Sequence, residues 1–145
     1  MITTERNKVN WTFEGIIVEN PPEKAYGFIY EITCTTSGRK YIGRKYLTFA
    51  KTKQVKKKTK KFRVESDWRD YWSSSPYLLE EMEKVGKENF KREILLWCYS
   101  RAECNYMELR YQFDRRVIES DDYYNSNIAS KHFKRVVSKF PSIKT

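Results

Sequence analysis

The chain has 145 residues, the size of one domain, and carries 29 lysines and arginines against 19 aspartates and glutamates, a formal charge of +10. Charged side chains make up 33% of it, yet 16% are aromatic, which supplies enough large apolar surface for a core and excludes a wholly disordered chain. No apolar run approaches the roughly 20 residues that cross a bilayer, so a membrane-spanning helix is excluded.

Met1 to Asn10 mixes charges of both signs and holds no apolar segment of the kind found in secretory signals, which points to a cytoplasmic protein. Trp11 to Val18 (WTFEGIIV) has strand composition and stops at Asn20-Pro21-Pro22, so residues 1–24 read as an amino-terminal arm or edge strand. Gly27 to Cys34 and Lys40 to Tyr46, separated by a Thr35-Thr36-Ser37-Gly38 turn, read as a hairpin. Strand alternation sets Phe28, Tyr30 and Ile32 on one face, and in the second strand puts Tyr41 and Lys45 on one side and Ile42 and Arg44 on the other.

Next comes Lys51 to Arg63 (KTKQVKKKTKKFR), with eight positive charges and no negative one in thirteen residues. Lys51, Lys53, Lys56, Lys57, Lys58, Lys60, Lys61 and Arg63 could lie along phosphates, since each neutralised phosphate releases counterions and gives salt-dependent affinity. A solvated loop or localisation signal would look the same.

Beyond it, Ser75-Pro76 opens a short amphipathic helix that stops at Gly86, and Phe90 to Cys98 reads as a third core strand. Ser100-Arg101-Ala102-Glu103 is a capping box for a helix from about Arg101 to Ile118, with Ala102, Tyr106, Leu109, Phe113 and Val117 as its apolar stripe. The resulting class is α/β in the α+β sense, a small sheet with helices packed on it. The compact domain spans residues 25–128, and residues 129–145 form a basic tail that could fold as a last helix. Cys34, Cys98 and Cys104 lack paired CxxC spacing and His132 has no ligand-like neighbour, so no zinc site is expected and the thiols should be reduced.

A glycine inside a strand marks a bulge or a close approach, and Gly43 lies in a hairpin whose two strands each carry a tyrosine. Taken alone, Tyr30 and Tyr41 could be cross-strand core partners. The full string Gly27-Phe28-Ile29-Tyr30, ten residues, then Tyr41-Ile42-Gly43 resembles the GIY-YIG nuclease family, as does the later order of helix, strand, glutamate-bearing helix and asparagine. Trp68-x-x-Tyr71-x-Ser73-Ser74-Ser75 is similar to a pattern in its free-standing, phage-encoded members, which include homing endonucleases.

The resemblance implies a three-stranded antiparallel sheet flanked by helices, here with a basic insertion after the second strand, and cleavage of DNA with one Mg²⁺ or Mn²⁺ ion. Carried over by position, Tyr30 and Tyr41 are the motif tyrosines and Glu108 the metal-binding glutamate, with Glu103 as a rival that the capping box already explains. Asn125 matches the late asparagine, with Asn127 as the alternative. Arg44 and Lys45 are candidates for the catalytic cation, and Arg63 or Arg69 could fold back into that role. Ser73 falls where many members have a histidine and cannot act as a base, which leaves proton transfer to a tyrosine. Implied with these are a DNA partner, a bacterial host cytoplasm if phage-encoded, and a homodimer if both strands are cut. A non-catalytic nucleic-acid-binding module and a structure-specific repair or recombination nuclease are the alternatives.

Overall fold

The computed structural model describes residues 9–143; most of the amino-terminal segment read for a signal, and the last two residues of the basic tail, lie outside them. In chain order the first four strands are β1 (Trp11–Phe13), β2 (Ile16–Ile17), β3 (Gly27–Cys34) and β4 (Lys40–Tyr46). The basic segment follows as β5 (Thr48–Val55) and β6 (Lys58–Glu65), and β7 (Phe90–Cys98) comes after the first helix. Five of these form one sheet in the order β2-β1-β7-β3-β4. Strand β3 pairs antiparallel with β4 and with the central β7, with a bulge at Ile29/Tyr30 on the β7 side.

The expected three-stranded sheet is therefore a five-stranded one. Trp11 to Val18 folds into a hairpin over Glu14-Gly15, both at positive φ (52° and 83°), the turn geometry that matches strand twist. Its β1 then pairs parallel with β7. Trp11 anchors it: the indole Nε1 donates to the Trp68 carbonyl at 2.7 Å, and the ring meets Phe28 and Tyr30 edge-on at 4.9 and 5.4 Å.

The basic segment is a separate two-stranded ribbon, β5 against β6, turning at Lys56-Lys57. Helix α1 (Pro76–Val85) begins as the sequence predicts, with Ser75 Oγ accepting the Leu78 N–H and Pro76 in the first turn. It buries Leu78 and Met82 with Phe28, Tyr30 and Ile32 on one face of the sheet.

On the other face lies α2 (Arg101–Asp114), over Ile29 and Ile42. Ser100 Oγ accepts the Glu103 N–H at 3.0 Å while Glu103 accepts the Tyr99 N–H at 2.6 Å, so Glu103 is spent on the cap. The helix is shorter than expected, with Val117 reached after a turn at Arg116, and it is rotated: Cys104 and Gln112 are buried, whereas Tyr106 and Phe113 of the predicted stripe are 62% and 51% exposed. Glu108 consequently belongs to the sheet-facing side with Cys104 and Gln112, at spacings of four. The tail forms a small hairpin, β8 (Asn127–Ile128) with β9 (His132–Phe133), and a single turn, α3 (Lys134–Val137).

Candidate active site

The motif residues converge on β4 because it is the last strand of the sheet, and an edge lets groups from both faces meet around it. Its outer backbone is capped by residues 122–125 running alongside. The Lys40 N–H donates to the Asp122 carbonyl at 2.9 Å and the Tyr124 N–H to the Lys40 carbonyl at 2.7 Å. Asn125 then replaces the next strand residue with its side chain: Oδ1 accepts the Ile42 N–H at 3.1 Å and Nδ2 donates to the Ile42 carbonyl at 2.9 Å. Gln112 Nε2, from α2, donates to that same carbonyl at 3.0 Å. Both amide side chains are buried, so the backbone between Tyr41 and Gly43 is held from two directions.

On the α1 face, Tyr30 lies opposite Gly43, and the Tyr30 and Tyr41 rings are 6.1 Å apart. A Cβ on Gly43 would come within 2.7 Å of the Tyr30 hydroxyl and 2.9 Å of Tyr41 Cε2, so the strand glycine lets the two rings close over it. Tyr30 is only 1% exposed. Burial, then the neighbouring Tyr41 and Tyr71 phenols, push its pKa well up, against a hydrogen bond from Ser73. Burial also pushes Tyr41 up to about 12, with help from the Glu108 charge and opposition from Ser73 and Arg44.

On the α2 face, Arg44 Nε lies 3.2 Å from the Glu108 carboxylate, without the alignment of a hydrogen bond. The Arg44 guanidinium also stacks on Tyr46, 4.7 Å from the ring centre. Burial raises the Glu108 pKa, and Arg44 pulls it back down. Glu108, Gln112, Tyr41, Asn125 and Asn127 share one cleft of about 280 Å³ with Ser74, Ser75 and the start of α1. A wider cavity of about 660 Å³ adjoins it through Asn125 and Ser126 and is lined by charges of both signs, Arg39, Lys84, Lys134 and Arg135 with Glu80, Glu81 and Asp121.

The other candidate cations are held elsewhere. Lys45 donates to Asp67 at 2.6 Å and sits 4.0 Å over the Tyr71 ring. Arg63 donates to Thr48 at the base of the ribbon, and Arg69 reaches the Glu19 carbonyl and Asn20. Asn127 opens β8, accepting the Ser130 N–H. The ribbon lysines line neither cavity.

A family model described as "Putative endonuclease segE, GIY-YIG domain" matches residues 11–128, most of the chain. The chain belongs to the GIY-YIG family. The matched span begins at Trp11, so it takes in β1 and β2. No curated protein and no solved structure matches.

Within this GIY-YIG domain the first motif glycine has a packing reason of its own. A Cβ on Gly27 would lie 2.6 Å from Cys104 Sγ and from the Lys45 carbonyl, so Gly27 lets α2 settle against β3 and carries Glu108 to the edge of β4. Among the described residues no three histidine, cysteine, aspartate or glutamate side chains form a ready-made metal cage. Among those lining the cleft Glu108 is the one carboxylate, and its companions include neutral oxygen donors, a set suited to a hard divalent cation that keeps most of its water. Two features lie outside what the sequence suggests: Gln112 on the Ile42 carbonyl, and the contact of Ser73 with both tyrosines. The one signal for Gln112 is its place four residues after Glu108 on the same helix face.

Proposed function

We propose that this GIY-YIG domain is a divalent-metal-dependent DNA endonuclease that hydrolyses phosphodiester bonds. The observation that carries the reading is that one carboxylate, Glu108, one guanidinium, Arg44, and one phenol, Tyr41, meet around the edge of a single strand. Glu108 would hold a Mg²⁺ or Mn²⁺ ion with water completing its shell. When bound, such an ion supplies charge neutralisation at the scissile phosphate and its leaving 3′ oxygen.

The chain's own groups account for the rest. Arg44 keeps its terminal nitrogens for the non-bridging phosphate oxygens, where charge gathers as the nucleophile attacks. Tyr41 orients the attacking water. Burial, with the Glu108 charge second, raises its pKa to about 12, so it is protonated at neutral pH; offsetting the Glu108 charge lowers that pKa and makes the phenol a better base near neutral pH. Tyr30, buried beneath it, fixes the Tyr41 ring through Gly43 and Ser73. Asn125 and Gln112 hold the Ile42 backbone so that Tyr41 keeps its place. One such cleft cuts one strand per encounter, so a double-strand break calls for two copies.

Supercoiled plasmid incubated with the protein and Mg²⁺ should be nicked, and EDTA or Glu108→Ala should abolish nicking. Retained nicking in both controls would refute the assignment. DNA binding without any nicking would make the domain a binding module, and preference for branched over linear duplex would make it structure-specific.

A further inference from the structure

The β5–β6 ribbon meets the rest of the fold only near its base, where Glu65 accepts from the Trp68 indole and Arg63 reaches Tyr26. Its strands pair with each other and with no other described strand, and of its sixteen strand residues only Thr48, Val55 and Val64 are even partly buried. Its internal contacts also work against it. Lys53 and Lys60 face each other directly across the ladder, a like-charge pair that destabilises a hairpin. Its turn places two lysines, Lys56 and Lys57, at φ 49° and 63°, where side chains are disfavoured. A polyanion laid against such a ribbon would relieve the charge repulsion along it.

The two faces differ in chemistry. Cross-strand register puts Lys51, Lys53, Lys58 and Lys60 on one face with Phe49 and Phe62, none of which offers a hydrogen-bond acceptor. The opposite face, toward the tip, carries Thr52, Gln54, Thr59 and Lys61. These are the side-chain types that read base edges: glutamine to adenine, threonine methyl to thymine, lysine to guanine. A two-stranded antiparallel ribbon has the width that the major groove of B-DNA admits.

We infer that the β5–β6 ribbon inserts into the major groove of duplex DNA beside the cleavage site, its Thr52, Gln54, Thr59 and Lys61 face on the base edges and its tip lysines on the flanking phosphates. The inference rests on the nuclease reading for its location and gives the domain a means of choosing where to cut. The ribbon springs from the end of β4, two residues beyond Tyr46, where Ser66 N–H donates to the Leu47 carbonyl. An eight-residue strand reaches roughly 25 Å, so the bases read lie within about seven pairs of the cut.

The test uses the full chain carrying Glu108→Gln, so that binding is measured without cleavage. Fluorescence anisotropy against a duplex of about 30 base pairs and its single strand is followed from about 50 to 200 mM salt, the range over which phosphate neutralisation shows most clearly. Replacing Lys56, Lys57, Lys58 and Lys60 by glutamine should weaken duplex binding at least about 100-fold at the upper salt concentration, and should flatten the log–log salt slope by about 0.9 for each phosphate left without its cation. The triple change Thr52→Ala, Gln54→Ala, Thr59→Ala should leave that slope unchanged but erase the base positions enriched when the parent selects from a random duplex library. Thermal melts of both variants should match the parent, because the ribbon tip packs on no other element. Lysine variants that bind within about threefold of the parent, equal affinity for single strands, or an unaltered selected sequence in the triple variant would overturn the inference. A chain that never nicks plasmid would refute the nuclease reading while leaving these binding measurements intact.

Discussion

Glu108 and Tyr41 lie on opposite faces of the sheet and line one cleft. They can do so only because β4 has no further strand beyond it, so the two side chains reach around its edge rather than through the sheet. The same arrangement separates the two adjacent cations: Arg44 turns to Glu108 and Lys45 to Asp67.

Arg44→Ala should therefore lower the single-turnover nicking rate by about 100-fold to 1000-fold, the scale of losing one preorganised charge at a developing oxyanion. Lys45→Ala loses a pair with an exposed aspartate and its contact over the Tyr71 ring, together worth about 1–2 kcal/mol of stability, and should nick within a few-fold of the parent. Equal losses in the two variants would return Lys45 to the reaction.

Asn125 and Asn127 separate by what they hold. Asn125→Ala strips the buried Ile42 N–H of its partner and should cost about 1–3 kcal/mol, seen as a lowered denaturation midpoint. The Ile42 carbonyl keeps Gln112, which limits the loss. Asn127→Ala breaks only a local turn contact and should change stability by less than about 0.5 kcal/mol.

The elevated phenols make both activity and stability depend on pH. If Tyr41 must lose its proton, log(kcat/KM) should climb with a slope near one across the neutral and mildly alkaline range, and Tyr41→Phe should cut the rate by about 100-fold or more with affinity kept. Stability runs the other way. A phenol raised from about 10 in the unfolded chain to about 12 in the folded one binds its proton more tightly when folded, so its contribution is full below about pH 10 and falls away as pH rises toward 12. Melting temperatures from about pH 9 to 12 should drop less steeply in Tyr41→Phe than in the parent.

Gly43→Ala places a methyl against the Tyr30 hydroxyl, whose ring is fully buried and cannot swing away, so overpacking should cost about 1–3 kcal/mol. Because the nearest atom is that hydroxyl, adding Tyr30→Phe should restore part of the loss. A double-mutant cycle by chemical denaturation measures the coupling, and strict additivity would show that the strain lies elsewhere.

The β3–β4 hairpin, β7 and both helix starts were legible in the sequence, because turn residues, Ser75, Ser100 and Gly86 act locally and leave local signals. The face that α2 buries was not. Periodicity chose Tyr106 and Phe113, which are large and apolar, but at the outer edge of β4 the helix meets the Ile42 carbonyl, and the Gln112 amide bonds it there. Trp11 to Val18 reads as one edge strand, but its split into β1 and β2 and the ribbon escaped: β2 is two residues long, and like charges at Lys53 and Lys60 argue against the very pairing they adopt. For the candidate cations Arg44, Lys45, Arg63 and Arg69, sequence could offer only proximity to the motif. Which one meets Glu108 depends on a helix that arrives some sixty residues later.

The double grip of Asn125 on Ile42 has a consequence for the order of biosynthesis. A nascent polypeptide leaving the ribosome can complete the sheet with β7 and dock α2, yet the outer edge of β4 has no partner for its Ile42 amide until residue 125 has emerged. The strand bearing Tyr41 therefore becomes rigid only once residue 125 is free to fold back, so the order of synthesis sets the order in which the cleft is completed.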